Sequence, residues 1–158
     1  MRTDDSFDPL EILRVLGQHD VPLIVIGGFA VAAHKVIRAT RDLDIVTDRS
    51  WAAAEWFARA LQSLDAVPLS DPAIEWIPEV LARPINIRIG TPHGELHVLN
   101  DTGGIPPFSG LQSTTIVVGD VEIQVASLAA LREMKRAAGR PKDLIDLAEL
   151  DAIHGPEA

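Results

Sequence analysis

Asp42 and Asp44 flank a single leucine inside the apolar run "DLDIV". Successive strand side chains point to opposite faces, so the two carboxylates share one face while Leu43 and Ile45 take the other. Their Cβ atoms then lie roughly 7 Å apart, close enough to lean onto one hard cation such as Mg2+. Without a cation or an arginine pair, two acids held that near repel each other. Upstream, Gly27-Gly28 falls between the apolar run "VPLIVI" and the helical pattern "FAVAAHKV". Free backbone N–H groups at such a junction favour anions, and the missing Cβ atoms let a phosphate chain approach the backbone. The pair is neither a P-loop, since no Gly-Lys-Ser/Thr follows, nor the dinucleotide G-x-G-x-x-G.

The elements that must position these groups follow from periodicity. "PLEILRVLG" places Leu10, Leu13 and Leu16 at helical spacing with Gly17 as a terminator. "VPLIVIGG" predicts a buried strand, residues 29–36 a helix and "DLDIV" the next strand. Asp48 or Ser50 could cap the amphipathic helix "WAAAEWFARALQSL". Pro68, Pro72 and Pro78 break up the next stretch, leaving a short helix around Ala73 to Leu81. "INIRIG" and "ELHVL", joined by "TPHG", predict a hairpin. The irregular loop "DTGGIPPFSG" comes next, and "TTIVVGDVEIQVA" predicts a second hairpin turning at Gly119-Asp120. Two helices close the chain: one begins at Ser127 and ends at Gly139, and the other starts on Pro141. The three tryptophans, Trp51, Trp56 and Trp76, are assigned to packing, although one left exposed could stack on a base, and His34, Lys35 and His93 are assigned to the surface.

Composition narrows the class. A chain of 158 residues with 47% hydrophobic content can bury one core, so a single domain over residues 1–158 is expected. No uninterrupted apolar run approaches the ~20 residues that span a bilayer. The acidic start "MRTDDSFD" lacks a secretory signal pattern, and zero cysteines exclude a disulfide framework and a thiolate zinc site, so the cytoplasm is the expected location. The net charge of −9 argues against broad binding to a phosphate backbone. Cations nevertheless cluster twice: His34, Lys35, Arg38 and Arg41 in one place, Arg132, Lys135, Arg136, Arg140 and Lys142 in another.

Thirteen residues, Phe29 to Arg41, separate the glycine pair from Asp-x-Asp. That order resembles the nucleotidyltransferase superfamily with the polymerase β-like fold. More narrowly, "VIGGFAVAAHKVIRATRDLDIV" with "MKRAAGRPKDLIDLAEL" is similar to the small nucleotidyltransferases grouped with the AbiEii toxins of toxin-antitoxin and phage-defence systems. The resemblance implies an α/β (α+β) fold, a mixed sheet flanked by helices with two C-terminal helices. It implies that Gly27 and Gly28 cradle the phosphates of an NTP substrate, and that Asp42 and Asp44 bind Mg2+ (or Mn2+). It also implies that Lys135, a motif position, grips a triphosphate oxygen, with Asp143 fixing Lys135 or Arg140 and Asp146 sharing that task. Arg38 belongs to "RATRDLD", the family's approach to its aspartates; Arg41 could pair with Asp42 or Asp48.

Many members carry a third carboxylate on a neighbouring strand, whereas "GELHVL" offers His97, with Glu95 on the same face. His97 could accept the proton of an attacking hydroxyl, or Glu95 could join the metal ligands. The expected activity is transfer of a nucleoside monophosphate to a hydroxyl of RNA, such as a tRNA 3′ end, or of a protein. A cognate toxin or antitoxin would be its partner. The competing expectation is a catalytically impaired binding module acting through a protein partner. A small-molecule acceptor ranks third, because the chain is short for a separate acceptor domain.

Overall fold

The computed structural model describes residues 7–157. The amino-terminal residues read above for the absence of a signal pattern lie, through residue 6, outside the described residues. Helices α1 (Pro9–Gln18), α2 (Gly27–Ala33), α3 (Trp51–Ser63), α4 (Pro78–Leu81), α5 (Leu128–Ala138) and α6 (Pro141–His154) surround one sheet. Its strands are β1 (Leu23–Ile26), β2 (Asp42–Thr47), β3 (Val67–Pro68), β4 (Asn86–Thr91), β5 (Gly94–Leu99), β6 (Ser113–Val118) and β7 (Val121–Ala126). Across the sheet the order is β3-β4-β5-β2-β1-β7-β6. The sheet is mixed: β2 pairs parallel with β5 and β1 with β7, whereas β1–β2 and both predicted hairpins are antiparallel.

All four residues of β1 are buried, as an apolar central strand requires. On β2 the alternation is clean: Leu43 and Ile45 are fully buried and Asp42 and Asp44 half-buried. Each large aliphatic side chain buried this way stabilises the fold by about 1.5–3 kcal/mol, so the core anchors both strands that carry the acids. Helix α3 contacts both α1 and α4, and α2 contacts α5, which contacts α6. Among the described residues, no helix is long and apolar enough to cross a membrane.

Several local expectations need correction. Gly17 does not end α1, which runs through Gln18 and stops where Asp20 takes a positive φ of 58°. The second helix begins on the glycines themselves and ends at Ala33, because Lys35 turns the chain with φ 78°. Ser50 is the cap of α3, accepting from the Ala53 N–H, while Asp48 accepts from the Ser50 N–H. The helix expected from Ala73 shrinks to the four residues of α4, started by Pro78, and the short edge strand β3 was not foreseen. Trp51 and Trp56 are exposed rather than packed, since Ala53, Ala54, Phe57 and Leu61 already form the buried face of α3. Trp76 is partly buried and donates its indole N–H to the Ala66 carbonyl. His34, expected on the surface, is buried with Nε2 at 2.9 Å from the Ala126 carbonyl oxygen.

Candidate active site

The parallel pairing of β2 with β5 sets Asp42 opposite Glu95 and Asp44 opposite His97. All four side chains therefore rise from the same face of two adjacent strands. One ligand atom from each of Asp42, Asp44 and His97 lies within 4.8 Å of the others. His97 Nε2 is 2.5 Å from Glu95 Oε2, and Nδ1 is 3.3 Å from Asp44 Oδ1. Glu95 also accepts from Arg88 Nη2 at 2.9 Å and Nε at 3.1 Å. With Nε2–H donated to Glu95, the Nδ1 lone pair faces the aspartates. Glu95 thus stands behind His97, and the hydrogen bond from His97, supported by Arg88, holds its carboxyl below the usual range.

Asp44 is electrostatically uncomfortable. Burial first, and then the negative charge of Asp42, push its carboxyl up from 3.8 to about 6, against the pull of His97. Its Oδ1 is buried without a hydrogen-bond partner. A divalent cation resolves both problems at once, by neutralising the repulsion and coordinating the orphaned oxygen. Two carboxylates with an imidazole fit a cation of the Mg2+ or Mn2+ class; the nitrogen is more at home on Mn2+. Because the folded-state carboxyl is raised, its contribution to metal-free stability is fully present below about pH 4 and lost as pH rises through about 6. Cation binding runs the other way, since it needs the ionised form. Calorimetric titration with Mn2+ is expected to show affinity falling roughly tenfold per pH unit below about pH 6.

Gly27 owes its identity to Asp44. It adopts φ +73°, and a Cβ built on it would lie 3.0 Å from Asp44 Cγ and 3.1 Å from Asp44 Cβ. At Gly28 the same space is filled by Arg38 Nε and Thr40 Cγ2, each 3.0 Å from a built Cβ. The glycines therefore admit side chains of the site itself, a packing role that reading them only as a phosphate seat had not included. Gly27→Ala is expected to cost about 1–3 kcal/mol of stability in denaturant titration and to weaken Mn2+ binding by tilting Asp44. Gly17→Ala is the control, being helical and free of neighbours within 4 Å, and should be neutral or stabilising.

Parts of the two cation clusters, remote in sequence, meet in space. Arg38 and Arg41, from the stretch that returns α2 to β2, and Lys135, Arg140 and Lys142, from around the α5–α6 junction, line one cleft of about 840 Å³. Gly27, Gly28, Asp42, Asp44, His97 and Asp143 line it too. His34, Lys35, Arg132 and Arg136 lie outside the cleft, the two arginines paired with Asp151 and Glu157. Asp143 is fully buried and accepts from Arg140 Nε at 2.7 Å and from Lys135 Nζ at 3.3 Å. Burial would raise its carboxyl, yet the hydrogen bonds from the Arg140 side chain and backbone, with the Lys135 charge, hold it below the usual range. Asp146 pairs with Lys135 at 3.0 Å and also with Arg38. The expected tie of Asp143 to Lys135 or Arg140 is thus a tie to both. What the sequence did not reveal is that Arg38 joins them through Asp146, a contact with no local signal across such a separation. Arg41 forms no ion pair with Asp42 or Asp48 among the described residues.

No protein-family model matches the chain, and comparison with curated protein sequences finds no match. Solved structures do match. ANT(2″)-Ia in complex with adenylyl-2″-tobramycin aligns with a TM-score of 0.58 at 14% identity, over 89% of this chain and 84% of that one. A solution structure of the antibiotic-resistance factor ANT(2″)-Ia aligns at 0.60 and 13% identity, over 96% and 85%. The lincomycin-bound lincosamide antibiotic adenylyltransferase LnuA aligns at 0.58 and 18% identity, over 96% and 98%. The fold is that of the nucleotidyltransferases. The mixed sheet and paired C-terminal helices expected from the sequence are those of a nucleotidyltransferase fold. Nothing in these likenesses bears on the narrower AbiEii-type grouping.

Proposed function

We propose that the chain is a single nucleotidyltransferase domain, over residues 1–158, that transfers a nucleoside monophosphate from an NTP to a hydroxyl of a small-molecule acceptor. One observation carries this reading: a single cleft holds a cation-ready acid pair and an arginine donor suited to an anion. Asp44 Oδ1 and Arg38 Nε are both buried without hydrogen-bond partners, and both residues line that cleft. A metal–triphosphate satisfies both kinds of group together.

In this reading Asp42 and Asp44 hold the divalent cation and leave the Nδ1 lone pair of the adjacent His97 free. When bound, that cation supplies Lewis-acid polarisation of phosphate oxygens and neutralises charge on pyrophosphate. Lys135 and Arg140, steadied by Asp143, and Arg38, steadied by Asp146, orient the triphosphate against the Gly27-Gly28 backbone. The acceptor oxygen bonds to the α-phosphorus as the bond to the bridging oxygen breaks, and pyrophosphate leaves with that electron pair. His97 Nδ1 takes the hydroxyl proton, and Glu95 holds the ring in the tautomer this requires.

ANT(2″)-Ia and LnuA support a small acceptor, since their structures carry an adenylylated antibiotic and an antibiotic. The chain spans 98% of the LnuA chain, so its length is no obstacle to a small-molecule acceptor. The RNA or protein acceptor and the toxin or antitoxin partner expected from sequence find no counterpart in these neighbours. The test is a thermal shift with each NTP and Mn2+, followed by pyrophosphate release over a panel of hydroxyl compounds. Stabilisation that needs both NTP and metal, and acceptor-dependent pyrophosphate, are expected. Lack of any metal-dependent NTP binding would leave the binding-module reading in its place.

A further inference from the structure

The geometry points to an acceptor that is uncharged or anionic where it enters the cleft, and not a polyamine. This inference rests on the nucleotidyl transfer proposed above. His97 marks the acceptor side, because its Nδ1 must reach the attacking hydroxyl. Leu99 lies two positions further along β5 on the same face, and Thr102, Gly103, Gly104 and Ile105 continue the lining from there. This wall carries no charge. Gly104 closes it against α5, since a Cβ built there would lie 3.1 Å from Ala137 Cβ.

Carboxylates are the groups that would pair with ammonium groups, and among the described lining residues there are three: Asp42, Asp44 and Asp143. The first two belong to the cation cluster. Asp143 is fully buried and already bonded to Lys135 and Arg140. Glu95, behind His97, is held by His97 and Arg88, Asp146 is held by Arg38 and Lys135, and Asp101, next to Thr102, is exposed and outside the lining. Five lining residues are basic: Arg38, Arg41, Lys135, Arg140 and Lys142. A bound polyamine would lose water in this cleft and find no free carboxylate among the described lining residues to replace it. A neutral hydroxyl compound with an apolar side meets Leu99 and Ile105 without that penalty. The net charge of −9 therefore lies elsewhere on the molecule and does not describe the cleft.

The experiment uses the whole chain loaded with Mn2+ and a non-hydrolysable α,β-methylene NTP at physiological salt, which screens diffuse attraction. Loading is measured first by calorimetry; its failure would count against nucleotidyl transfer itself, whereas the acceptor inference is read only from titrations of the loaded protein. Tobramycin, a polyamine, is then titrated into wild type and into Thr102→Asp, which adds one carboxylate to the neutral wall. Wild type is expected to bind tobramycin weakly at most, and the variant at least tenfold more tightly. Tight tobramycin binding to wild type, or no gain in Thr102→Asp, would overturn the inference. In turnover assays Ile105→Ser should raise the acceptor KM about tenfold and leave the NTP KM unchanged. A change confined to the NTP KM would assign the wall to the nucleobase and sink the proposal.

Discussion

Asp44→Asn is expected to lower nucleotidyl transfer by about 10³-fold or more while leaving the metal-free fold as stable as before, or more stable. The reasoning starts from strain in the wild-type side chain. Burial and Asp42 push the Asp44 carboxyl up to about 6, and its buried Oδ1 lacks a partner. Asparagine keeps the shape and removes the charge, so repulsion from Asp42 disappears. The same change removes the ligand that makes the cluster of Asp42, Asp44 and His97 attractive to a cation. Activity and stability should therefore move in opposite directions, as they do where a site is held against its own electrostatics. Pyrophosphate release with saturating Mn2+ and a thermal scan without metal read the two effects. Transfer within tenfold of wild type would remove Asp44 from the chemistry.

Asp143→Ala should have the largest effect on stability, about 3 kcal/mol, because it leaves the buried Lys135 with Asp146 as its one remaining carboxylate among the described residues. Lys135 is 7% exposed and Asp143 is fully buried, with Arg140 donating to the same carboxylate. Asp143 also accepts from the Arg140 backbone N–H at 3.1 Å, so the first turn of α6 loses its bond to the residue before it. A loss of that size corresponds to about 10 °C in melting temperature for a chain of this length. Asp143→Asn retains the backbone acceptor and should fall between the two. If Asp143→Ala melted within a few degrees of wild type, the network would have no structural weight.

What the sequence revealed and what it hid divide along a physical line. Period-two alternation identified β2 and β5 and put Asp42 with Asp44, and Glu95 with His97, on one face of each strand, because strand geometry fixes side-chain direction locally; that the two strands are neighbours came from the family resemblance. Pro141 after Gly139 located the α5–α6 junction, whose glycine has φ 62°. Trp51 and Trp56 were misassigned because hydrophobicity says nothing about which face a partner element covers; alanines and Phe57 had taken that face. His34 was misassigned for the converse reason, as a carbonyl on β7 supplies the bond that makes its burial tolerable. The convergence of Arg38 on Asp146 was illegible because tertiary ion pairs leave no periodic trace. Gly27 was singled out for the right position, but the atom it makes room for belongs to Asp44.

The parallel β2–β5 register has an evolutionary consequence. Each ladder step seats one β2 acid beside one β5 residue, Asp42 by Glu95 and Asp44 by His97, while Leu96 and Val98 lock the strand from the far side. Selection can therefore exchange the residue on a single step without disturbing the scaffold. A lineage carrying this chain could alternate between imidazole and carboxylate at position 97, retuning its preferred metal and working pH by one codon change.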